Sequence, residues 1–121
     1  VFLSAPLPAS GISETFEILC RQYPPQKALQ MILRKALDDY EDALDDGSFV
    51  KLQQDYDVDN DETEEAVVQT SRMIPKPLIE VARDHFDPLG LESARAFGRK
   101  LGTAALAAFF AHEARRRGTR K

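Results

Sequence analysis

The chain has 121 residues, of which 43% are hydrophobic, with no Trp, a single Cys and a formal net charge of −4. That length suits one domain, or two small modules sharing a core. The longest apolar candidate, Leu101–Ala111, is about half what a bilayer requires, which excludes a membrane-spanning helix. No secretory signal pattern is visible, and a start at Val1 rather than Met reads as a fragment or processed product of a cytoplasmic protein.

Val1–Pro8 reads as a strand, and Pro6, lacking a backbone donor, restricts it to a sheet edge. Ala9-Ser10-Gly11 is a turn, and Ser13 supplies an N-cap. Phe16, Leu19, Cys20 and Tyr23 then fall on one helical face. That slot makes Cys20 a small core residue in a reducing compartment. Pro24-Pro25 stops this helix and opens the next, which runs from Gln26 to Asp45. Its Leu29, Ile32, Leu33, Ala36, Tyr40 and Ala43 face inward, and Gly47-Ser48 ends it. Phe49–Ala66 is an acidic connector that Phe49, Val50, Leu52, Tyr56 and Val58 hold against the surface. Val67–Pro75 is a second extended run. A short helix follows (Leu78, Val81, Ala82, Phe86), then a break at Pro88 and Gly90, then a longer helix from about Ser93 to Arg116.

Charge is sorted along the chain. Residues 38–65 hold thirteen acids against one base, Lys51, which leaves +8 on the remaining residues. An acidic total therefore does not exclude a nucleic-acid partner. The order strand, short helix, long helix occurs twice. Leu7-Pro8 matches Ile74-Pro75, Phe16-x-x-Leu19-Cys20-Arg21 matches Leu78-x-x-Val81-Ala82-Arg83, and Leu29, Ile32 and Arg34-Lys35 match Ala94, Phe97 and Arg99-Lys100. A lone strand leaves its backbone groups unpaired, so each copy needs the other. The expected fold is mainly α with one two-stranded antiparallel β-ribbon. It comprises repeats at 1–46 and 67–117, a connector at 47–66 and a basic tail end at 118–121.

This order resembles the ribbon-helix-helix family, in which two copies pair their strands and the ribbon enters the DNA major groove. The resemblance implies a tandem, single-chain pseudo-dimer, hence a monomer, that binds double-stranded DNA. Phe2-Leu3-Ser4-Ala5-Pro6-Leu7-Pro8, Thr15–Pro24 and Phe86–Arg95 are also similar to the C-terminal part of the second VirC-operon proteins of Agrobacterium tumour-inducing plasmids. That similarity implies an accessory protein assisting T-DNA border processing and conjugation-like transfer, together with other proteins of a DNA-processing complex.

Alternation leaves two registers open for the second strand. With Ile74 inward, Gln69, Ser71 and Met73 face out and Arg72 faces in; in the other, Val68, Thr70 and Arg72 face DNA. Gln69, Ser71 and Arg72 are the candidate readers, since Gln suits adenine, Arg suits guanine and Ser is tolerant. The first strand contributes only Ser4, so affinity is expected to rest on phosphates more than on bases. Backbone amides at the starts of the longer helices attract anions. Lys27 supports the first start, and Ser93 and Arg95 support the second, which Glu92 weakens. Arg115, Arg116 and Arg117, with Arg120 and Lys121, form either a backbone clamp or a solvated terminus.

Other motifs fail. Asp55-x-Asp57-x-Asp59-x-Asp61 begins like a calcium loop, but Asn60 and Ala66 occupy the positions of the turn Gly and the bidentate Glu. His112-Glu113 lacks the second His of a zinc protease, Arg116 standing there. His85 and His112 lack metal-ligand spacing, and Gly90 to Gly98-Arg99-Lys100 is not a P-loop. Gly98-x-x-x-Gly102 reads as a place where long helices cross closely. No enzyme, metal or cofactor is expected. The competing reading is a helical protein-interaction adaptor recruiting partners of a DNA-processing complex.

Overall fold

The computed structural model describes residues 1–58 and 67–119, with Val67 and residues 117–119 described by their backbone alone. Its elements follow the order β1 (Phe2–Pro6), α1 (Glu14–Leu19), α2 (Pro25–Asp46), a 3-10 turn (Ser48–Lys51), β2 (Val67–Ser71), α3 (Lys76–Phe86) and α4 (Ala94–Thr119). The strands pair antiparallel, Phe2 opposite Ser71, Ser4 opposite Gln69 and Pro6 opposite Val67. The fold is thus mainly helical around one two-stranded ribbon made from distant parts of the chain.

The phase of the ladder explains Pro6. Val1 and Arg72 exchange both backbone hydrogen bonds: the Arg72 amide donates to the Val1 carbonyl at 3.0 Å and the Val1 amino group to the Arg72 carbonyl at 2.9 Å. Antiparallel ladders alternate, so Phe2, Ser4 and Pro6 fall at non-bonded pairs and turn their backbone groups away from β2. The donor missing from Pro6 therefore costs no ladder bond. The carbonyls of Phe2 and Ser4 point instead at α4. A Cβ at Gly98 would overlap the Phe2 carbonyl oxygen, and one at Gly102 the Ser4 carbonyl oxygen. These glycines seat a helix on a strand edge. They are not the helix crossing expected of them, because the nearest backbone belongs to β1.

α2 is amphipathic as its spacing requires. Leu29, Ile32, Leu33, Ala36, Tyr40 and Ala43 are all buried, and Gly47 closes the helix with a left-handed φ of 82°. Leu3, Ala5 and Val68 from the ribbon join this face, with Phe97, Leu101 and Leu106 from α4 opposite. Each buried Leu contributes about 1.5–3 kcal/mol, which compensates for a ribbon with little stability of its own.

α1 is shorter than expected. Ser13 does cap it, its hydroxyl accepting from the Phe16 amide at 3.1 Å, but the helix stops at Leu19. Cys20 is half-buried rather than core, and Tyr23 is exposed. Beyond Leu19 the chain tightens into turns, the Arg21 and Gln22 amides donating to the Ile18 and Leu19 carbonyls at 3.2 and 3.0 Å, and Pro24 keeps Tyr23 out of helical backbone. Both strands are also shorter than the runs that suggested them, with Pro8 making only an isolated bridge to Val58.

The connector lies on the surface through residue 58. Phe49 is buried, Tyr56 packs edge-on against Phe110 at 5.1 Å, and its hydroxyl donates to the Pro6 carbonyl at 2.5 Å. Val50 and Val58, by contrast, are exposed. Asp59, Asn60, Asp61 and Ala66, on which the calcium-loop comparison turns, lie outside the described residues.

Candidate nucleic-acid interface

Leu3, Ala5 and Val68 point into the core, so Phe2, Ser4, Pro6, Gln69 and Ser71 occupy the opposite face of the ribbon. Ile74 packs on the core and Met73 is 93% exposed, which selects the register with Gln69, Ser71 and Met73 outward. The alternative, with Val68, Thr70 and Arg72 outward, is excluded, since Val68 is 4% exposed. The outer face is polar along β2 and, apart from Ser4, bare or apolar along β1. Ser4 itself is nearly covered, at 8% exposure.

Arg72 therefore does not stand among the outward side chains. It turns beneath the ribbon to α2, where Nε meets Glu41 at 2.5 Å and a terminal nitrogen meets Asp38. Burial opposes its charge, but the hydrogen bonds and charges of Asp38 and Glu41 outweigh burial and hold its pKa above the ordinary value. The long arginine stem makes this inward position tolerable. The signal was present in the sequence as Asp38 and Glu41, three residues apart on one side of α2.

The two long helices begin beside opposite edges of the ribbon. Gln30, in the second turn of α2, donates to the Gln69 carbonyl at 3.1 Å. Gly98, in the second turn of α4, meets the Phe2 carbonyl. Lys27 and Arg95 each stand three residues earlier, one turn nearer the helix start, and both are exposed. Ser93 caps α4, its hydroxyl accepting from the Ala96 amide at 3.1 Å. Glu92 is engaged by Lys100 at 2.5 Å, which offsets the repulsion it would offer an anion at that helix start.

Asp87 positions the start of α4, and nothing in the sequence pattern singled it out. Buried at the end of α3, it accepts from the amides of Leu91 and Glu92 at 3.1 and 3.3 Å and pairs with Arg83 at 3.2 Å. The Arg83 guanidinium in turn lies 4.4 Å from the centre of the Phe97 ring. An Arg–Asp pair at i,i+4 was the available sequence signal.

Arg115 and Arg116 are exposed but are not brought to the ribbon. α4 meets β1 at Gly98 and Gly102, and Arg115 stands thirteen positions beyond Gly102 on the same helix, a run of roughly 20 Å. The side chain of Arg117, with Arg120 and Lys121, lies outside the described residues. His85 stacks edge-on with Phe49 and Phe86 and contacts Gln54. Among the described residues no three His, Cys, Asp or Glu side chains are grouped to hold a metal, and no helix is long and apolar enough to cross a membrane.

Residues 1–118 match the VirC2 protein family. The chain is 59% identical to "Protein virC2" of Rhizobium radiobacter over 113 residues, covering 93% of this chain and 56% of that protein. Against "Protein virC2" of Rhizobium rhizogenes identity is 59% over 114 residues, with the same coverage. Against that of Agrobacterium fabrum it is 58% over 114 residues. The chain thus spans about half the length of the curated relatives it matches (56%). The crystal structure of plasmid pTiC58 VirC2 superposes with a TM-score of 0.90 at 55% identity, covering 100% of this chain and 98% of that one. On these matches the chain belongs to the VirC2 family.

Proposed function

We propose that this chain is a non-enzymatic, double-stranded DNA-binding module of ribbon-helix-helix type, folded as a monomeric pseudo-dimer in the cytoplasm. The ribbon lies in the major groove and the starts of α2 and α4 rest on the flanking phosphates. The observation that carries this reading is an outward ribbon face without a role in the core, bordered on both edges by helix starts with exposed Lys27 and Arg95. Helix starts attract phosphate through free amides and the helix dipole. Gln69 and Ser71 form hydrogen bonds with base edges, while Phe2 and Met73 offer only apolar contact. Sequence readout is therefore shallow, and phosphates dominate affinity.

Membership of the VirC2 family supports a place in T-DNA border processing and transfer, with the module supplying duplex affinity to a larger DNA-processing complex. A second reading, an adaptor for protein partners, is favoured by Leu89 and Leu91, exposed by 79% and 81% in the loop that Asp87 holds. Fluorescence anisotropy of labelled duplexes, specific and random, over a range of salt concentrations separates the two. A DNA module binds both duplexes with a steep salt slope, and Lys27→Ala and Arg95→Ala each reduce that slope by about 1. Absence of binding at low salt would leave the adaptor.

A further inference from the structure

The outward face of the ribbon is divided along its length. Gln69 stands opposite Ser4 and Ser71 opposite Phe2, and the backbone bonds between Val1 and Arg72 carry the ladder one residue further. Met73, two residues beyond Ser71, follows on the same face as the diagonal neighbour of Phe2, a spacing that aromatic and long side chains bridge. One end of the face is thus polar and the other is an apolar corner. Phe2 is 53% exposed and Met73 93% exposed, and neither belongs to the core.

Exposed apolar side chains grouped together mark a contact surface, and the surroundings of this corner say of what kind. The helix start beside Phe2 is that of α4: the Phe2 carbonyl meets Gly98, and Arg95 stands exposed one turn earlier. At the other edge Gln30 holds the Gln69 carbonyl, with Lys27 exposed one turn before it. A corner two side chains wide is too small for an apolar protein interface, whereas a frame of cations suits a polyanion. Gln69 and Ser71, its polar continuation, carry groups that hydrogen-bond base edges. In the major groove the apolar group that a base edge presents is the C5 methyl of thymine.

We propose that Phe2 and Met73 make the ribbon selective for thymine. The corner packs against C5 methyl groups beside the hydrogen bonds that Gln69 and Ser71 make. This inference rests on the major-groove placement of the ribbon and assigns its base preference to one chemical group, the pyrimidine 5-methyl.

The test is an anisotropy titration at one salt concentration, with a mixed-sequence duplex prepared in three forms. The first contains thymine, the second deoxyuridine in its place, and the third deoxyuridine together with 5-methyldeoxycytidine for cytosine. Uracil keeps every hydrogen-bonding group of thymine and lacks only the methyl. Deoxyuridine should weaken binding about four- to fifteenfold, as expected when one or two methyl groups lose apolar contact. The third form should recover part of that loss. In a double variant, Phe2→Ser with Met73→Ser, the three forms should bind alike. Equal binding of the thymine and deoxyuridine duplexes by the unaltered chain would overturn the proposal and leave the DNA reading standing, as would a third form that recovers nothing. A deoxyuridine effect that persists in the double variant would overturn it too, since the methyl groups would then act through the duplex and not through these side chains. The comparison on the unaltered chain stands whether or not the variant folds. Failure to bind any form would remove the DNA reading and this inference with it.

Discussion

Arg72 shows how a single side chain fixes the register of the ribbon. A one-residue slip would move it from the carboxylates of Asp38 and Glu41 to the solvent face and carry Val68 out of the core. Truncation to Ala leaves Glu41, itself largely buried, without its cation, and the expected loss is about 1–3 kcal/mol in urea unfolding. Glu41→Gln should cost less, since its amide oxygen still accepts from Nε. In a duplex titration Arg72→Ala should act only through stability, leaving the salt slope of the folded protein unchanged; a slope reduced by about 1 would mean that the guanidinium reaches a phosphate. A second residue-scale prediction concerns alkali. Burial raises the Tyr40 phenol from its ordinary 10.0 to about 12, and burial followed by the charge of Asp55 raises Tyr56 as well. Above pH 10 the unfolded chain sheds protons that the folded chain retains, so stability falls as pH rises towards 12. Tyr40 alone accounts for up to about 2–3 kcal/mol of that fall. Urea midpoints measured from pH 8 to 11.5 should decline, and Tyr40→Phe should flatten the decline.

At the scale of elements, the seating of α4 on β1 yields a prediction whose sign separates two effects. Alanine is favoured over glycine inside a helix by about 1 kcal/mol, so propensity alone would make Gly98→Ala and Gly102→Ala stabilising. Both added methyl groups, however, would meet backbone carbonyl oxygens of β1, which cannot rotate away. Overpacking of this kind costs about 1–3 kcal/mol or more, so each variant should lower the thermal midpoint, and the double variant should loosen the ribbon first. A rise in midpoint would show that α4 stands off from the strand. The elements themselves were largely legible. The period of α2 named Leu29, Ile32, Leu33, Ala36, Tyr40 and Ala43, all buried, and two orphan extended runs implied each other. Their ends were not legible, because a strand ends where its partner ends and α1 passes into tighter turns within its apolar period, four residues short of Pro24. The glycine spacing pointed to a close approach, but spacing alone does not distinguish a helix from a strand edge as the neighbour.

For the whole molecule, the charge division that the composition concealed becomes spatial. The outward ribbon face and the helix starts draw on the part of the chain that is net positive, while Asp38 and Glu41 are spent on Arg72. Asp87 ties the second half together: Asp87→Ala frees two loop amides and Arg83, and should lower affinity for duplex about three- to tenfold by displacing Ser93 and Arg95, with a stability loss of about 1–3 kcal/mol. Anisotropy and urea unfolding on the same sample would separate the two effects. The candidate interface was legible in its polar strand and helix starts, since those follow from residue type and order. Arg72 was misassigned because alternation says which residues share a face but not which face is covered.

The ribbon's covered edges also bear on strand addition. A two-stranded sheet is all edge, and an unsatisfied edge invites a third strand from another molecule. Here several outward carbonyls are already covered, those of Phe2 and Ser4 by the glycine face of α4, that of Pro6 by the Tyr56 hydroxyl and that of Gln69 by Gln30. At these positions a third strand would have to displace a contact the chain already makes.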